Sequence, residues 1–368
     1  MKHFKFSKQS LKGLLLFFLM YNVCMNQRNK SIDIARGIAI ISIMLGHLGN
    51  SQINRVVFTY HVPLFFLITG YFLKCKGDLF SFIKKKADAL LKPYCITCML
   101  LIVFSVLKVL LKGGSISQLA GTFTDTVYAS LYGAGDSYTE PFYIPAIGAV
   151  WFLWASFWGC LIVQFSAYFK KPYDALFILL AAAAGYYSRR LFWFPLSIQA
   201  GGAAALFIYT GYTYKQYEST VLPLYRKFRV PVLVVMTAVW LEFIVHFKSF
   251  WLVHFDIGRG LQDIIASIFA CVVIFALSSF ISRLIPDEKL LSFTGRNSLC
   301  FLCIHLLELK LVPWNQIIGL IPFINGSASV LIAKIICKLL LVLSVMQIAY
   351  DIPFMKKAYR ITIYKEKA

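Results

Sequence analysis

The sequence predicts an all-α, polytopic membrane protein with about ten transmembrane helices and both termini in the cytoplasm. Three observations carry that reading. Hydrophobic residues make up 59% of the 368-residue chain and charged ones 14%, and mean hydropathy is +0.72. A soluble domain is closer to half apolar and a quarter charged. The apolar stretches are long and continuous, unlike the roughly ten-residue alternating strands of a membrane barrel. Finally, lysine and arginine gather in alternate connections between those stretches.

Ten apolar segments follow one another: 32–48, 55–73, 94–111, 148–169, 175–187, 198–214, 231–247, 261–281, 299–321 and 328–350. The fifth is the shortest. Pro63 and Gly70 inside the second are breakers that membrane helices tolerate. With the stretch before Ile32 in the cytoplasm, 22 lysines and arginines fall on that side, six of them within 74–93. The opposite side holds six: Arg55, Lys112, Arg189, Arg190, Lys248 and Arg259. The positive-inside bias selects this orientation. It also accounts for the net charge of +21 without a nucleic-acid partner. The expected location is an integral, multi-pass plasma (inner) membrane protein of bacterial type, with the lipid bilayer as its first partner.

The domain plan is a cytoplasmic segment 1–31, a membrane domain 32–350 and a basic cytoplasmic tail 351–368. In 1–24, Lys2, Lys5, Lys8 and Lys12 precede a short apolar run, Leu14–Met20. It lacks the small-residue cleavage site of a signal peptide and is short for a span. It reads as an upstream extension or an interfacial segment, with Met25 a natural beginning. The long outer loop 112–147 is rich in Gly, Ser, Thr and aromatics, groups that stack on sugars or bond hydroxyls; it also fits a surface loop with interfacial tyrosines. Ala181–Ala184 indicates close helix packing. Nine cysteines are scattered through apolar segments and outline no disulfide framework. Cys95-x-x-Cys98 and Cys300-x-x-Cys303 have tetrathiolate spacing. Cysteine is also an ordinary small apolar residue in such segments, and no metal is expected.

The first segment, "IDIARGIAIISIMLGHL", carries Asp33, Arg36 and His47. Ionisable groups at membrane depth are costly and mark function by default. Arg36 and His47 are eleven residues apart, which puts them on one helix face roughly 16 Å apart. Asp33, three residues before Arg36, can pair with it locally. Taken singly, Arg36 reads as a snorkelling interface anchor and His47 as a structural histidine. Their shared face favours a site. In "TYHVPLFFLITGYF", His61 lies just below the outer boundary, and the short link "GNSQIN" makes the first two helices antiparallel neighbours. The two histidines can then approach each other. An imidazole titrates near neutrality and can take a proton from a hydroxyl; alternatively His61 stabilises a Pro-kinked helix. His305 and Glu308 share a face, as do Lys334 and Lys338, and the pairs read as a buried structural ion pair or the lining of a polar path. Glu242 finds no role in the sequence.

These residues, in this order, resemble the acyltransferase-3 family of membrane O-acyltransferases. The match rests on Arg36-x10-His47, on "HVPLFFLITGYF", on the basic "FIKKKADALLKPY" (82–94), on "VWFLWA" (150–155) and on "FTGRNSLCFLCIH" (293–305), and covers 32–350. The Pro in "HVPLFF" leans toward the fucose 4-O-acetylase-like and polysaccharide O-acetyltransferase branch. The resemblance implies transfer of an acyl group, usually acetyl, from cytoplasmic acyl-CoA to a hydroxyl of a polysaccharide, lipid-linked sugar or exported glycan. Acyl-CoA would be a substrate, with no bound cofactor. It gives His47 the catalytic role and Arg36 a donor role, with Asp33 beside it. His61, Trp151, Ser298 and His305 would support or face the acceptor, and Lys84, Lys85 and Lys86 would supply donor-side charge. Family members often carry Arg just before Leu-Leu-x-Pro-Tyr; here Ala89 stands there, and Lys84, Lys85 and Lys86 supply the nearby charge. The rival reading is a transporter or flippase of a lipid-linked glycan. It would be favoured by an inverted repeat or paired broken helices, and the sequence displays neither.

Overall fold

The computed structural model describes residues 30–75, 77–321 and 326–362. Residues 1–24, Arg28, Lys365 and Lys367, to which the sequence assigns an extension and part of the cytoplasmic charge, lie outside the described residues. The helices are α1 (Lys30–Gly46), α2 (Ser51–Val57), α3 (His61–Tyr71), α4 (Leu79–Leu111), α5 (Ile116–Tyr132), α6 (Trp151–Ser166), α7 (Tyr173–Ser188) and α8 (Ile198–Lys227). They continue as α9 (Arg229–Val245), α10 (Leu261–Leu284), α11 (Leu290–Arg296), α12 (Ser298–Leu311), α13 (Trp314–Gly319), α14 (Ser327–Asp351) and α15 (Pro353–Ala358). Among the described residues β pairing is limited to two isolated bridges, Tyr138 with Ile144 and Trp251 with Asp256.

All ten predicted segments lie on helices. Among the described residues, four stretches are long and apolar enough to cross a bilayer: α2 with α3, α4, α10 and α14. The number rises to six if two bent pairs each count as one span, Pro195–Lys227 with α9 at 94° and α11 with α12 at 85°. α1 has 17 residues, and α6 and α7 have 16 each. The broken pairs depart from the sequence reading, which found none.

Two stretches read as connections are helical. α4 begins at an Asp78 cap, whose carboxylate accepts from Ser81 N at 2.9 Å, and runs unbroken through the lysine cluster and Pro93. α5 occupies about half of the 112–147 stretch. Ser115 and Gln118 form a reciprocal capping box at its start, and Gly133 closes it at φ 70°. Such paired end signals satisfy the orphan backbone groups of a helix.

Packing uses bare backbone. A Cβ at Gly70 would lie 1.9 Å from Ile208 O, and one at Gly211 would lie 2.1 Å from Leu67 O, so α3 and α8 touch reciprocally at glycine. α1 and α11 do the same: a Cβ at Gly37 would collide with Leu291 O, and one at Gly295 with Asp33 O. Gly202 faces Ala181 O and Ala182, which is the close contact expected of the alanine run. Small residues at interfaces let membrane helices approach closely enough for dispersion to hold them.

The bundle has two chemically distinct ends. At the Arg36 end, Lys30 donates to Pro286 O, Arg296 pairs with Asp33, and Asn297 binds Thr362 in the tail. At the His47 end, Ser197 Oγ donates to Gly133 O at 2.7 Å, Tyr132 OH to Trp193 O at 2.6 Å and Lys310 Nζ to Ala146 O at 3.0 Å.

Gly211→Val should therefore be strongly destabilising, because overpacking costs about 1–3 kcal/mol even against movable side chains and here the obstacle is backbone. Gly121 in α5 has nothing within 4 Å of an added Cβ. Gly121→Ala should be neutral or slightly stabilising. Thermal unfolding of the two variants in detergent compares them directly; equal midpoints would show that the α3–α8 contact is not tight.

Candidate active site

The site is built on α1. Asp33 is buried near its start, and Arg296 Nε donates to Asp33 Oδ2 at 2.9 Å from across the helix interface. The sequence pairs Asp33 with Arg36; the partner seen in the structure is Arg296. Arg36, one turn on, lies 5.7 Å from the centre of the Phe72 ring at the end of α3.

His47 follows the last residue of α1 and is exposed on one side. Its Nδ1 is 2.8 Å from Ile43 O. A carbonyl only accepts, so Nδ1 carries the hydrogen and the Nε2 lone pair of the neutral ring is open. His61 opens α3 after a break at Phe58–Tyr60, and its Nδ1 is likewise bound, 2.5 Å from Val57 O. The break is held from three sides: Tyr60 OH meets Ser42 Oγ at 2.7 Å, Trp240 Nε1 donates to Thr59 Oγ1 at 2.8 Å, and Cys271 Sγ faces Tyr60 O. The expected approach of the first two helices is present: Phe58, against Gly46 at the end of α1, lies 5.2 Å from the His61 ring.

The ring stacked edge-on against His47 is His305, at 5.2 Å between centroids and 75° between planes. His305 is fully buried on α12. Its Nδ1 donates to Glu308 Oε2 at 2.8 Å, and Glu308 Oε1 takes Lys338 Nζ at 2.7 Å and the Trp314 indole N–H. His305 Nε2 is buried with no hydrogen-bond partner. The Glu308–Lys338 pair anticipated from sequence is thus one end of a chain: lysine, carboxylate, imidazole, imidazole. Trp314 was missed, because a single indole after "LVP" carries no periodic signal.

The remaining predicted residues distribute as follows. Trp151 is buried at the start of α6 beneath the 133–150 loop, with Gly135 against its indole. Ser298 opens α12, seven residues or about two turns from His305, and so on the same face but about 10 Å away. Lys84 and Lys85 are exposed, whereas Lys86 lies 5.6 Å over the Phe82 ring. None of these meets His47. Glu242, unassigned by sequence, grips Arg259 with both oxygens at 2.5 and 3.0 Å. No group of three His, Cys, Asp or Glu side chains suited to a metal occurs among the described residues.

Comparison with known proteins agrees with this architecture. The profile described as an acyltransferase domain matches residues 29–350, and the chain belongs to that membrane acyltransferase family. Among named proteins it is similar to a nodulation protein, NolL, of Mesorhizobium japonicum, with 26% identity over 173 residues. That match covers 43% of this chain and 40% of the relative, so it spans less than half of either. No solved structure matches.

The Asp33–Arg296 contact is a nearly buried ion pair. Removing one partner of such a pair costs about 3–5 kcal/mol, while replacing both by apolar groups is often neutral. Arg296→Met should lower the unfolding midpoint in detergent sharply, and Asp33→Leu with Arg296→Met should recover most of the loss. Additive effects of the two substitutions would show that the pair does not couple α1 to α11.

Proposed function

We propose that this protein is an O-acyltransferase that moves an acyl group, acetyl in the simplest case, from acyl-CoA at the Arg36 end of α1 to a carbohydrate hydroxyl at the His47 end. The observation that carries the reading is the pair of imidazoles at the far end of a helix whose near end bears Arg36. His47 Nε2 takes the proton of the acceptor hydroxyl. The hydroxyl oxygen bonds to the thioester carbonyl carbon, the carbon–sulfur bond breaks, and the CoA thiolate leaves and takes up that proton. His305, held by Glu308, stands behind His47 and supports the imidazolium that forms. Arg36 and the Lys84–Lys86 cluster attract the phosphates of the donor, with Arg36 able to bind bidentately. The fold would sit in the plasma membrane with ten spans and both termini inside, leaving the His47 end facing outward. NolL is named for nodulation; a role in modifying a cell-surface or exported glycan is compatible with that name.

Steady-state kinetics with acyl-CoA and acceptor both varied test the roles. His47→Ala should lower turnover by about 10²–10⁴-fold, the usual contribution of a general base, with inserted protein retained. Full activity would move the base to His61. Arg36→Lys should raise KM for acyl-CoA and leave the acceptor term near normal; a change confined to the acceptor, or none, would make Arg36 an interface anchor and shift the donor site to Lys84, Lys85 and Lys86.

Orientation has its own test. In a cysteine-free background, Thr139→Cys should react with an impermeant thiol reagent on intact cells and Ser81→Cys should not. Inverted labelling would overturn both the topology and the assignment of donor and acceptor ends.

A further inference from the structure

At the His47 end a second feature stands apart from the histidines. An open cavity of about 470 Å³ is lined by Arg189, Lys248, Ser249, Trp251, His254 and Asp256. Its size falls within the roughly 300–1,000 Å³ of small-ligand sites. Its charge is unusual for its location. The sequence places six lysines and arginines in the connections at this end, the structure adds Lys310, and two of the six line this one cavity. Of the other four, Arg55 donates to the carbonyls of Ile244 and Val245, Arg259 is bound by Glu242 and Asp263, and Arg190 lies over the Tyr187 ring. Lys248 is exposed and carries no ion pair among the described residues.

The walls are rigid. Arg189 lies 4.1 Å over the Tyr186 ring and donates through Nη1 to Phe255 O at 3.1 Å, which leaves the rest of its fork available. His254 Nε2 is 3.1 Å from Asp136 Oδ2 and its Nδ1 is 2.9 Å from Tyr138 OH. The carboxylate can only accept, so the hydrogen sits on Nε2 and Tyr138 donates to Nδ1. Burial, reinforced by the charge of Asp136, pushes the Tyr138 phenol above its usual range, which keeps that proton in place. Tyr138 in turn stacks on Trp193 at 5.4 Å and 10°. Trp251 is 42% exposed, stacks beside His254, and touches Phe58 edge-on at 5.5 Å. Phe58 abuts Gly46, the residue before His47, and lies 5.2 Å from the His61 ring. One aromatic layer therefore separates the cavity from the imidazoles.

We propose that this cavity binds the acceptor, and that the acceptor is an anionic carbohydrate, a sugar unit bearing a carboxylate or a phosphate. Arg189 and Lys248 meet the anion, the guanidinium fork matching either group. The exposed Trp251 ring offers a platform for a sugar face, and Ser249 and Asp256 offer oxygens to its hydroxyls. Seated there, a neighbouring hydroxyl of the glycan reaches toward His47 past Phe58. The inference rests on the acyltransferase reading only for the use made of the bound sugar.

Isothermal titration of the full chain in neutral detergent with glucuronic acid, glucose 1-phosphate and glucose tests it. At least one anionic sugar should bind at least tenfold more tightly than glucose, and comparison of the two shows which anion is preferred. Lys248→Gln and Arg189→Gln should each weaken that binding about tenfold or more. Lys248→Gln alters an exposed side chain, so it serves even if Arg189→Gln does not fold. Equal affinity for glucose, no saturable binding by any of the three, or full binding by Lys248→Gln overturns the proposal. Acyl-CoA turnover by the same preparations separates the two readings: binding without turnover keeps the cavity and removes the acyltransferase assignment, and turnover without binding does the reverse.

Discussion

Lipid tails are as apolar as leucine, so helices inside a bilayer are not pressed together by the exclusion of water; they associate through close packing and partnered polar groups. In this protein the contact between α1 and α11 is where that constraint bears hardest. Gly37 and Gly295 let the two backbones touch, and Asp33 meets Arg296 across the same seam. A backbone contact of this kind permits no sliding, since any other register sets a Cβ against a carbonyl. It fixes α11, and α12 departs from α11 at 85° after a single residue, Asn297. The placement of His305 against His47 at one end of α1 is therefore set by a glycine contact at the other.

Buried polar groups in this bundle are neutralised locally, and the pattern of neutralisation separates structure from chemistry. Asp33 has Arg296 and Glu308 has Lys338, so neither carboxylate imposes a net charge on the apolar interior. The histidines are handled differently. His47, His61 and His305 each spend Nδ1 on an acceptor, the first two on carbonyls one helical turn back and the third on Glu308. Each ring is thereby held in the tautomer whose Nε2 is a proton acceptor. A carbonyl one turn back costs nothing extra to provide, because residues at i−4 already lie beneath the ring. The same device at three sites gives a cluster of bases without a cluster of charges.

Much of this was legible in the sequence, and the failures have physical causes. Helix positions follow from continuous apolar runs, and the pairing of Arg36 with His47 on one face follows from helical periodicity alone. Glu308 and Lys338 were found because two adjacent segments each carried charges at helical spacing. The length of α4 was missed because its lysines read as a loop, although Asp78 and the lack of any breaker before Pro93 mark a helix start. α5 was missed although Ser115-x-x-Gln118 and Gly133 are its two end signals; its mixed composition hid them. Arg296 could not be assigned to Asp33 because their contact joins residues 263 positions apart. The cavity at the His47 end was invisible for the same reason: Arg189, Lys248 and Asp136 belong to three loops that only the packing of α5, α7 and α9 brings together.

The two bent helix pairs are the one feature that a glycan-transporter reading could claim, since transporters use broken helices whose unwound carbonyls and half-helix ends bind ions near mid-membrane. The residue at the centre of each bend keeps both of its backbone hydrogen bonds. At Phe228, its N–H donates to Leu224 O at 3.1 Å and its carbonyl accepts from Val232 N at 3.0 Å. At Asn297, its N–H reaches Phe293 O at 3.2 Å and its carbonyl accepts from Phe301 N at 3.0 Å. The Asn297 side chain also donates to Phe293 O and Thr362 O and accepts from Thr362 N, which stitches the corner to the tail. At each bend the central carbonyl is thus taken by the helix that follows. The bends act as fixed corners, and the corner at Asn297 turns α12 so that an imidazole and its carboxylate meet the far end of α1.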